Sequence, residues 1–389
     1  MGKIVVIHFS DCFYPRINGV TVSINTISKA LSQRNVYNII VSPSYEKSNA
    51  LKVESYEGID LIRVPSKTFI FNKEDRFMLF NYNYQLYKLI NDMTREYHKI
   101  VCLFHNIMNS YFIGNSIVNL FKKNTSKKVI KICYYHTLWE YYLHYIPLPK
   151  FISLNLLRIL ERKVLKNMDY IMVANDYVKD MVIRKIGSLE KIIVNPLPID
   201  TIFLENLNST QAYKGKYFLY VGRIGKEKNL YFLLDVFCEL AKFDNSFCLY
   251  LVGDGPEREN LISYSKSIKI DDKISFLGYR PQREIVDLYR YCQGVIFVSK
   301  TETLGLVVLE AMSCGAIVFT LNVPPFNTII SNLHNGVLVD KEEKEYFAKK
   351  ILDVISDRDL SQRIKRNAID KSKISHPITF TQKLLNIVA

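Results

Sequence analysis

Four stretches combine residue types and spacings that suit phosphate and sugar chemistry, and each follows a run that reads as a β-strand. The most informative runs Ser299-Lys300-Thr301-Glu302-Thr303-Leu304-Gly305-Leu306-Val307-Val308-Leu309-Glu310. Its two glutamates lie in apolar surroundings, where carboxylates without partners are costly, which favours a ligand over a structural role. The eight-residue spacing is a little over two helical turns, so Glu310 shares a face with the helix start. Between the glutamates, the N–H groups of Leu304 and Gly305 open a helix, where a phosphate can be held. A carboxylate beside such a site suits sugar hydroxyls, and a nucleotide-sugar offers both groups. The second stretch, Val221-Gly222-Arg223-Ile224-Gly225-Lys226-Glu227-Lys228, places Arg223 and Lys228 where they can grip a diphosphate from two sides; a solvated loop is the alternative. In the third, Asn18-Gly19 precedes a helix whose free N–H groups can face a phosphate, although a turn glycine is as ordinary. The fourth, Gly253-Asp254-Gly255-Pro256, reads as architecture.

The elements that must position these residues alternate. Strands are predicted at Lys3–Phe9, Tyr37–Val41, Lys99–Phe104, Val129–Tyr135 and Tyr170–Val173, with helical patterns between them, the first at Thr21–Arg34. The prolines of Asn195-Pro196-Leu197-Pro198 interrupt the alternation and mark a linker. It restarts with strands at Tyr217–Val221, Phe247–Val252, Ile274–Phe276, Val295–Val298 and Ile317–Thr320. The chain has 389 residues, more than one ordinary core accommodates. The fold class is therefore α/β: two doubly wound domains, with ligands at the carboxyl ends of strands and in a cleft between domains. The expected division is 1–197, 198–370, and a helix at 371–389 packing back towards the first domain.

Composition narrows the classes. Hydrophobic residues at 48% and charged residues at 23% exclude a disordered or fibrous chain. The net charge of +14 is uneven: residues 1–200 carry 27 Lys+Arg against 16 Asp+Glu, so this half is expected to meet something anionic. No recognition motif for nucleic acid accompanies the charge, so a basic nucleic-acid-binding protein is only a distant alternative. The seven scattered cysteines lack a Cys-x-x-Cys and read as reduced packing residues. An Asp-x-Asp ending a strand would suggest a metal; the match Asp357-Arg358-Asp359 lies between helical patterns, so no metal is expected. Nothing reads as a signal peptide or a membrane span, which implies a cytoplasmic chain with at most peripheral membrane contact.

Taken together, Glu302-x7-Glu310, Gly222-Arg223…Lys228, Gly253-Asp254-Gly255-Pro256 and Asn18-Gly19 resemble the motifs of retaining family 4 glycosyltransferases of GT-B architecture, over nearly the whole length. The resemblance implies that Glu302 contacts the donor hexose, Glu310 the nucleotide ribose, and Arg223 and Lys228 the diphosphate. It further implies that the N–H groups of Leu304 and Gly305 support the phosphate while Gly19 faces it from the other domain. Phe276-Leu277-Gly278-Tyr279-Arg280 is similar to the base-binding loop, which makes Tyr279 a neighbour of the uracil. His136, in Tyr134-Tyr135-His136-Thr137-Leu138-Trp139, resembles the family histidine beside the reacting sugar, whereas a core histidine is the ordinary alternative. His105 and Trp139 are candidates for the acceptor side.

The fuller string looks most like the Gram-positive diacylglycerol glucosyltransferases, although Leu304 stands where relatives often carry Gln. This implies a UDP-sugar donor, glucose in the first instance, no cofactor, and a lipid acceptor such as diacylglycerol or glycosyl-diacylglycerol. Assembly of capsule, exopolysaccharide or cell-wall glycan is the alternative. Residues 149–166 read as a helix that supports membrane docking: Arg158, Arg162 and Lys166 form a stripe, with Leu157, Leu160, Val164 and Met168 beside it. The implied location is the inner face of the cell membrane. A helix simply packed on its sheet has the same periodicity and stays open.

Overall fold

The computed structural model describes residues 3–69, 72–136, 140, 149–205, 215–300, 302 and 305–389. It divides into two compact units, Met1–Pro198 with Pro377–Ala389, and Ile199–His376. The division falls directly after the Asn195–Pro198 segment, where proline limits the neighbouring backbone. The second unit extends a few residues past position 370, because a helix continues to Ser372.

The strands of the first unit are β1 (Ile4–Phe9), β2 (Tyr37–Pro43), β3 (Lys52–Tyr56), β4 (Ile59–Val64), β5 (Ser66–Phe69), β6 (Asn72–Met78), β7 (Lys99–Phe104), β8 (Lys128–Tyr134), β9 (Tyr170–Val173) and β10 (Ile192–Val194). Eight of them form one sheet in the order β10-β9-β8-β7-β1-β2-β4-β3, and β5 pairs with β6 as a separate hairpin. Only β3 runs antiparallel to its neighbour in the large sheet. The central strands are apolar on both faces, as β1 with Ile4-Val5-Val6-Ile7-His8-Phe9 shows, because helices cover both sides. Those helices are α1 (Gly19–Ser32), α2 (Asn83–Met93), α3 (Asn109–Asn124), α4 (Lys150–Lys166) and α5 (Asp176–Ile186). Asn18 starts α1 by accepting a hydrogen bond from the Thr21 N–H at 2.9 Å. Between β2 and β7 the helical pattern predicted from sequence is replaced by four strands and only then α2. The antiparallel edge strand β3 is largely exposed, with the burial pattern of a sheet margin, whereas β4 beside it is buried.

The C-terminal helix, Pro377–Val388, belongs to the first unit and packs on α1. Arg34 donates to Gln382 at 2.6 Å, Lys99 to the Val388 carbonyl at 2.7 Å, and the Phe380 ring lies 5.9 Å from Tyr134.

The second unit has the strands β11 (Lys216–Val221), β12 (Phe247–Val252), β13 (Ile274–Gly278), β14 (Gly294–Phe297), β15 (Val318–Leu321) and β16 (Val337–Val339). They form an all-parallel sheet in the order β13-β12-β11-β14-β15-β16. The helices are α6 (Leu230–Phe243), α7 (Arg258–Ser267), α8 (Gln282–Tyr291), α9 (Leu306–Ser313), α10 (Phe326–Ile329), α11 (Lys344–Ser356) and α12 (Arg358–Ser372). The order reverses between β11 and β14, the switch point at which doubly wound sheets hold ligands. Asp357, first of the Asp-x-Asp pair, caps α12 by accepting from the Leu360 N–H.

Candidate active site

In the second unit, Arg223, Lys228 and Glu302 stand at the carboxyl ends of β11 and β14, with Glu310 along α9 and Tyr279 at the end of β13. β11 ends at Val221 and leads through Gly222 and Arg223 to a short turn of helix, Lys226–Lys228. β14 leads to Glu302. Because β11 and β14 are neighbours, these two loops meet, and the Lys228 ammonium pairs directly with the Glu302 carboxylate. Both side chains are 17% exposed, enough to reach a ligand and buried enough for the charge to matter. The Phe297 ring lies 5.9 Å below the Lys228 ammonium and stacks on Tyr220, giving the pair an aromatic floor. Arg223 is exposed at the same strand end, its carbonyl held by the Tyr220 hydroxyl at 2.9 Å.

Gly305 precedes the first residue of α9 with φ 68°, and a Cβ there would lie 2.9 Å from Phe326. Only glycine takes that conformation and space readily, so the residue sets where α9 starts. Glu310 lies five residues along from Gly305. Burial pushes its carboxyl up to about 7, and repulsion from Asp200 acts in the same direction. Tyr279 is 65% exposed just after β13, its ring free to stack on a planar partner. Leu304 lies outside the described residues, as do Thr301 and Thr303. The glycines of Gly253-Asp254-Gly255-Pro256 are architectural: a Cβ on Gly253 would fall on the Gly222 carbonyl oxygen, and one on Gly255 on that of Ile224.

In the first unit, Gly19 is exposed, its φ is ordinary, and a Cβ built on it meets nothing within 4 Å. Neither strain nor packing requires glycine there. His136 follows β8 and is 7% exposed. It does not stand alone. His136 Nε2 lies 2.9 Å from His105 Nδ1, and His105 Nε2 lies 2.9 Å from His8 Nδ1. His105, placed on the acceptor side from sequence, is 1% exposed with both ring nitrogens engaged, which leaves it no group for an acceptor. His8 was not singled out from sequence; the signal was a lone imidazole in an otherwise apolar strand. Trp139 lies outside the described residues.

The helix α4 also differs from its sequence pattern. Val164 and Met168 are buried in the core that covers the sheet, and Leu157 is buried too, instead of lining an outer face. Glu161, the helix's only acid, is fully buried, accepting from Tyr135 at 2.6 Å and Lys185 at 2.7 Å. What α4 exposes is Phe151, Ile152, Leu156 and Ile159 together with Arg158, Arg162, Lys163 and Lys166. Among the described residues, no helix is long and apolar enough to cross a membrane.

Comparison with known proteins identifies the family. The Glycosyltransferase Family 4 model matches residues 17–203 and the Glycosyl transferases group 1 model residues 205–371, which together span both units. The chain is a glycosyltransferase of this family 4/group 1 type. This glycosyltransferase is 26% identical to the alpha-monoglucosyldiacylglycerol synthase of Streptococcus pneumoniae over 85% of its own length and 74% of the relative's. It is 24% identical to the synthase of the same name from Acholeplasma laidlawii, over 92% and 90%. Its fold is GT-B, with two Rossmann-like domains. Sucrose-phosphate synthase from Thermosynechococcus elongatus has a TM-score of 0.75 at 16% identity, covering 99% of this chain and 98% of that one. Anabaena HepE in complex with UDP and glucose has a TM-score of 0.73 at 16% identity, covering 100% and 99%.

Proposed function

We propose that this glycosyltransferase moves a hexose, glucose in the first instance, from a UDP-sugar to a membrane lipid such as diacylglycerol or glycosyl-diacylglycerol, with retained configuration and without a metal. The pairing of Lys228 with Glu302 supports the donor half of this reading. An incoming diphosphate competes for the ammonium, and the released carboxylate becomes available to the hexose hydroxyls. Arg223 and the N–H groups at the start of α9 add positive character where the leaving diphosphate gains charge. These groups supply the stabilisation that a metal would otherwise give. Glu310 takes the ribose, Tyr279 the base, and His136 a position beside the reacting sugar. With retention no protein nucleophile is needed: the acceptor oxygen bonds to the anomeric carbon as the bond to the diphosphate breaks, and the departing oxygen takes the acceptor proton.

The observation that carries the lipid acceptor is the outer face of α4. It exposes Phe151 (68%), Leu156 (55%) and Ile159 (66%) over its first ten residues, and the basic residues Arg158, Arg162, Lys163 and Lys166 over its second half, so the two sets meet at Arg158-Ile159. An outer face that carries exposed apolar residues beside basic ones and no acid fits an anionic leaflet, the apolar side chains entering the acyl boundary and each basic residue near the headgroups adding about 1 kcal/mol. The names of the two synthases support the same acceptor class. A screen of UDP- and GDP-sugars against diacylglycerol, glucosyl-diacylglycerol and undecaprenyl acceptors, with mass detection, tests the reading. Glucosylated diacylglycerol or its glucosyl derivative is the expected product; transfer confined to undecaprenyl acceptors would move the protein to glycan assembly.

A further inference from the structure

The three histidines of the first unit form a row that follows from the sheet itself. β8, β7 and β1 are adjacent, with His8 paired to Leu103 and Phe104 paired to Cys133. Counted in that register, His105 stands two positions beyond His8, and His136 two beyond His105. Steps of two keep all three side chains on one face, and diagonal neighbours on a sheet are within reach of ring side chains. The ring centroids are 5.2 Å and 5.1 Å apart. The row begins at the Ser28 hydroxyl of α1, 3.4 Å from His8 Nε2. It ends at His136 Nδ1, which makes no hydrogen bond to any described residue.

Burial keeps the rings uncharged, holding His8 and His136 down at about 3 and His105 well below its ordinary value. A neutral imidazole carries a single ring proton, so each contact needs one N–H and one lone pair. Only two arrangements satisfy both contacts. Either every ring carries its proton on Nδ1, or every ring carries it on Nε2. In the second, His136 donates to His105, His105 to His8, and His8 to Ser28. That arrangement also matches the intrinsic preference of neutral histidine for the Nε2–H form.

We propose that His105 and His8 are positioning residues that hold His136 as the Nε2–H tautomer, leaving its Nδ1 as a hydrogen-bond acceptor for a substrate hydroxyl. The inference rests on the placement of His136 beside the reacting sugar, and it adds the means by which that ring is oriented and its acceptor lone pair kept open. A ring without these partners would flip, or would turn an N–H towards the hydroxyl it should accept from.

Long-range 15N–1H correlation of the histidine rings in the full chain reads the tautomer directly. His136 should show a protonated Nε2 and a bare Nδ1; a protonated Nδ1, or an imidazolium at neutral pH, overturns the proposal. His105→Gln keeps one acceptor for His136 and one donor for His8, whereas His105→Phe keeps ring volume and loses both. With UDP-glucose and diacylglycerol vesicles, His105→Phe should lower kcat about tenfold or more at nearly unchanged donor KM. His105→Gln should restore most of it. Ser28→Ala leaves all three rings in place and should shift His136 towards the Nδ1–H form. Equal rates for the Phe and Gln variants, or an unchanged His136 tautomer in both His105→Phe and Ser28→Ala, contradicts the proposal. A wild-type rate in His136→Gln would instead remove the functional reading beneath it, and the tautomer spectrum distinguishes the two failures.

Discussion

At the scale of single residues, the two glutamates of Glu302-x7-Glu310 occupy different electrostatic settings and should fail differently. Glu302 is paired with Lys228 at the edge of the site, and its proposed contact to the hexose acts on orientation at the reacting carbon. Glu302→Gln should therefore lower kcat about a hundredfold with little change in donor KM, as measured by steady-state kinetics. Glu310→Gln should mainly raise the dissociation constant for UDP, read by calorimetry. The raised carboxyl of Glu310 adds a pH dependence. Its folded value, about 7, lies above the unfolded value of 4.5, so folding favours the protonated form. The stability it contributes is complete below about pH 4.5 and is lost as pH rises through 7. Melting temperatures across this range should fall more in the wild type than in Glu310→Gln. Ribose hydroxyls donating to the ionised carboxylate should in turn make UDP bind more tightly as pH rises from 6 to 8; a flat profile would remove Glu310 from the ribose.

At the scale of elements, α4 shows how one helix meets two demands. Its inner face is fixed by Leu157, Val164, Leu165 and Met168 and by the buried pairing of Glu161 with Lys185. Because Glu161 points inward, the outer face carries basic residues with no acid among them. Lys185 is 12% exposed and keeps a second carboxylate, Glu140, at 3.4 Å, so Glu161→Gln removes a charged acceptor without stranding the ammonium and should cost about 1–3 kcal/mol in denaturant unfolding. The triple variant Arg158/Arg162/Lys166→Glu should instead melt like the wild type, bind UDP unchanged, and lose sedimentation with anionic vesicles. Full activity of that variant on anionic vesicles would exclude this face from docking. The amphipathic period of α4 was legible in sequence, but not which apolar residues faced inward, since that depends on the sheet it packs against. For the same reason Leu157, Val164 and Met168 read as part of an outer stripe.

At the scale of the whole molecule, the buried parallel strands were the most legible feature. Continuous apolar runs such as Phe247–Val252 and Tyr170–Val173 keep the same bounds in the structure because strands largely buried on both faces read as unbroken apolar stretches. The stretch 52–78 was not legible: its edge strand and hairpin are half exposed, and alternation over so few residues is indistinct. Local position was legible where one motif carried it, as with Gly305 at the start of α9 and Glu310 along it. Relations between distant residues were not. Lys228 and Glu302 lie 74 positions apart and meet only because β11 neighbours β14, and the row from His8 to His136 exists only in the register of three strands.

The central claim, retained hexosyl transfer to a lipid hydroxyl, is tested most directly by the anomeric configuration of the product. The full chain is incubated with UDP-glucose and diacylglycerol in anionic vesicles containing a chelator, and the purified glycolipid is read by mass spectrometry and proton NMR. The account predicts an α-glucosyl lipid formed in equal amount with released UDP, at a rate the chelator leaves unchanged. A β-glucosyl product, or no glycolipid from any UDP-hexose with either diacylglycerol or glucosyl-diacylglycerol, would contradict it.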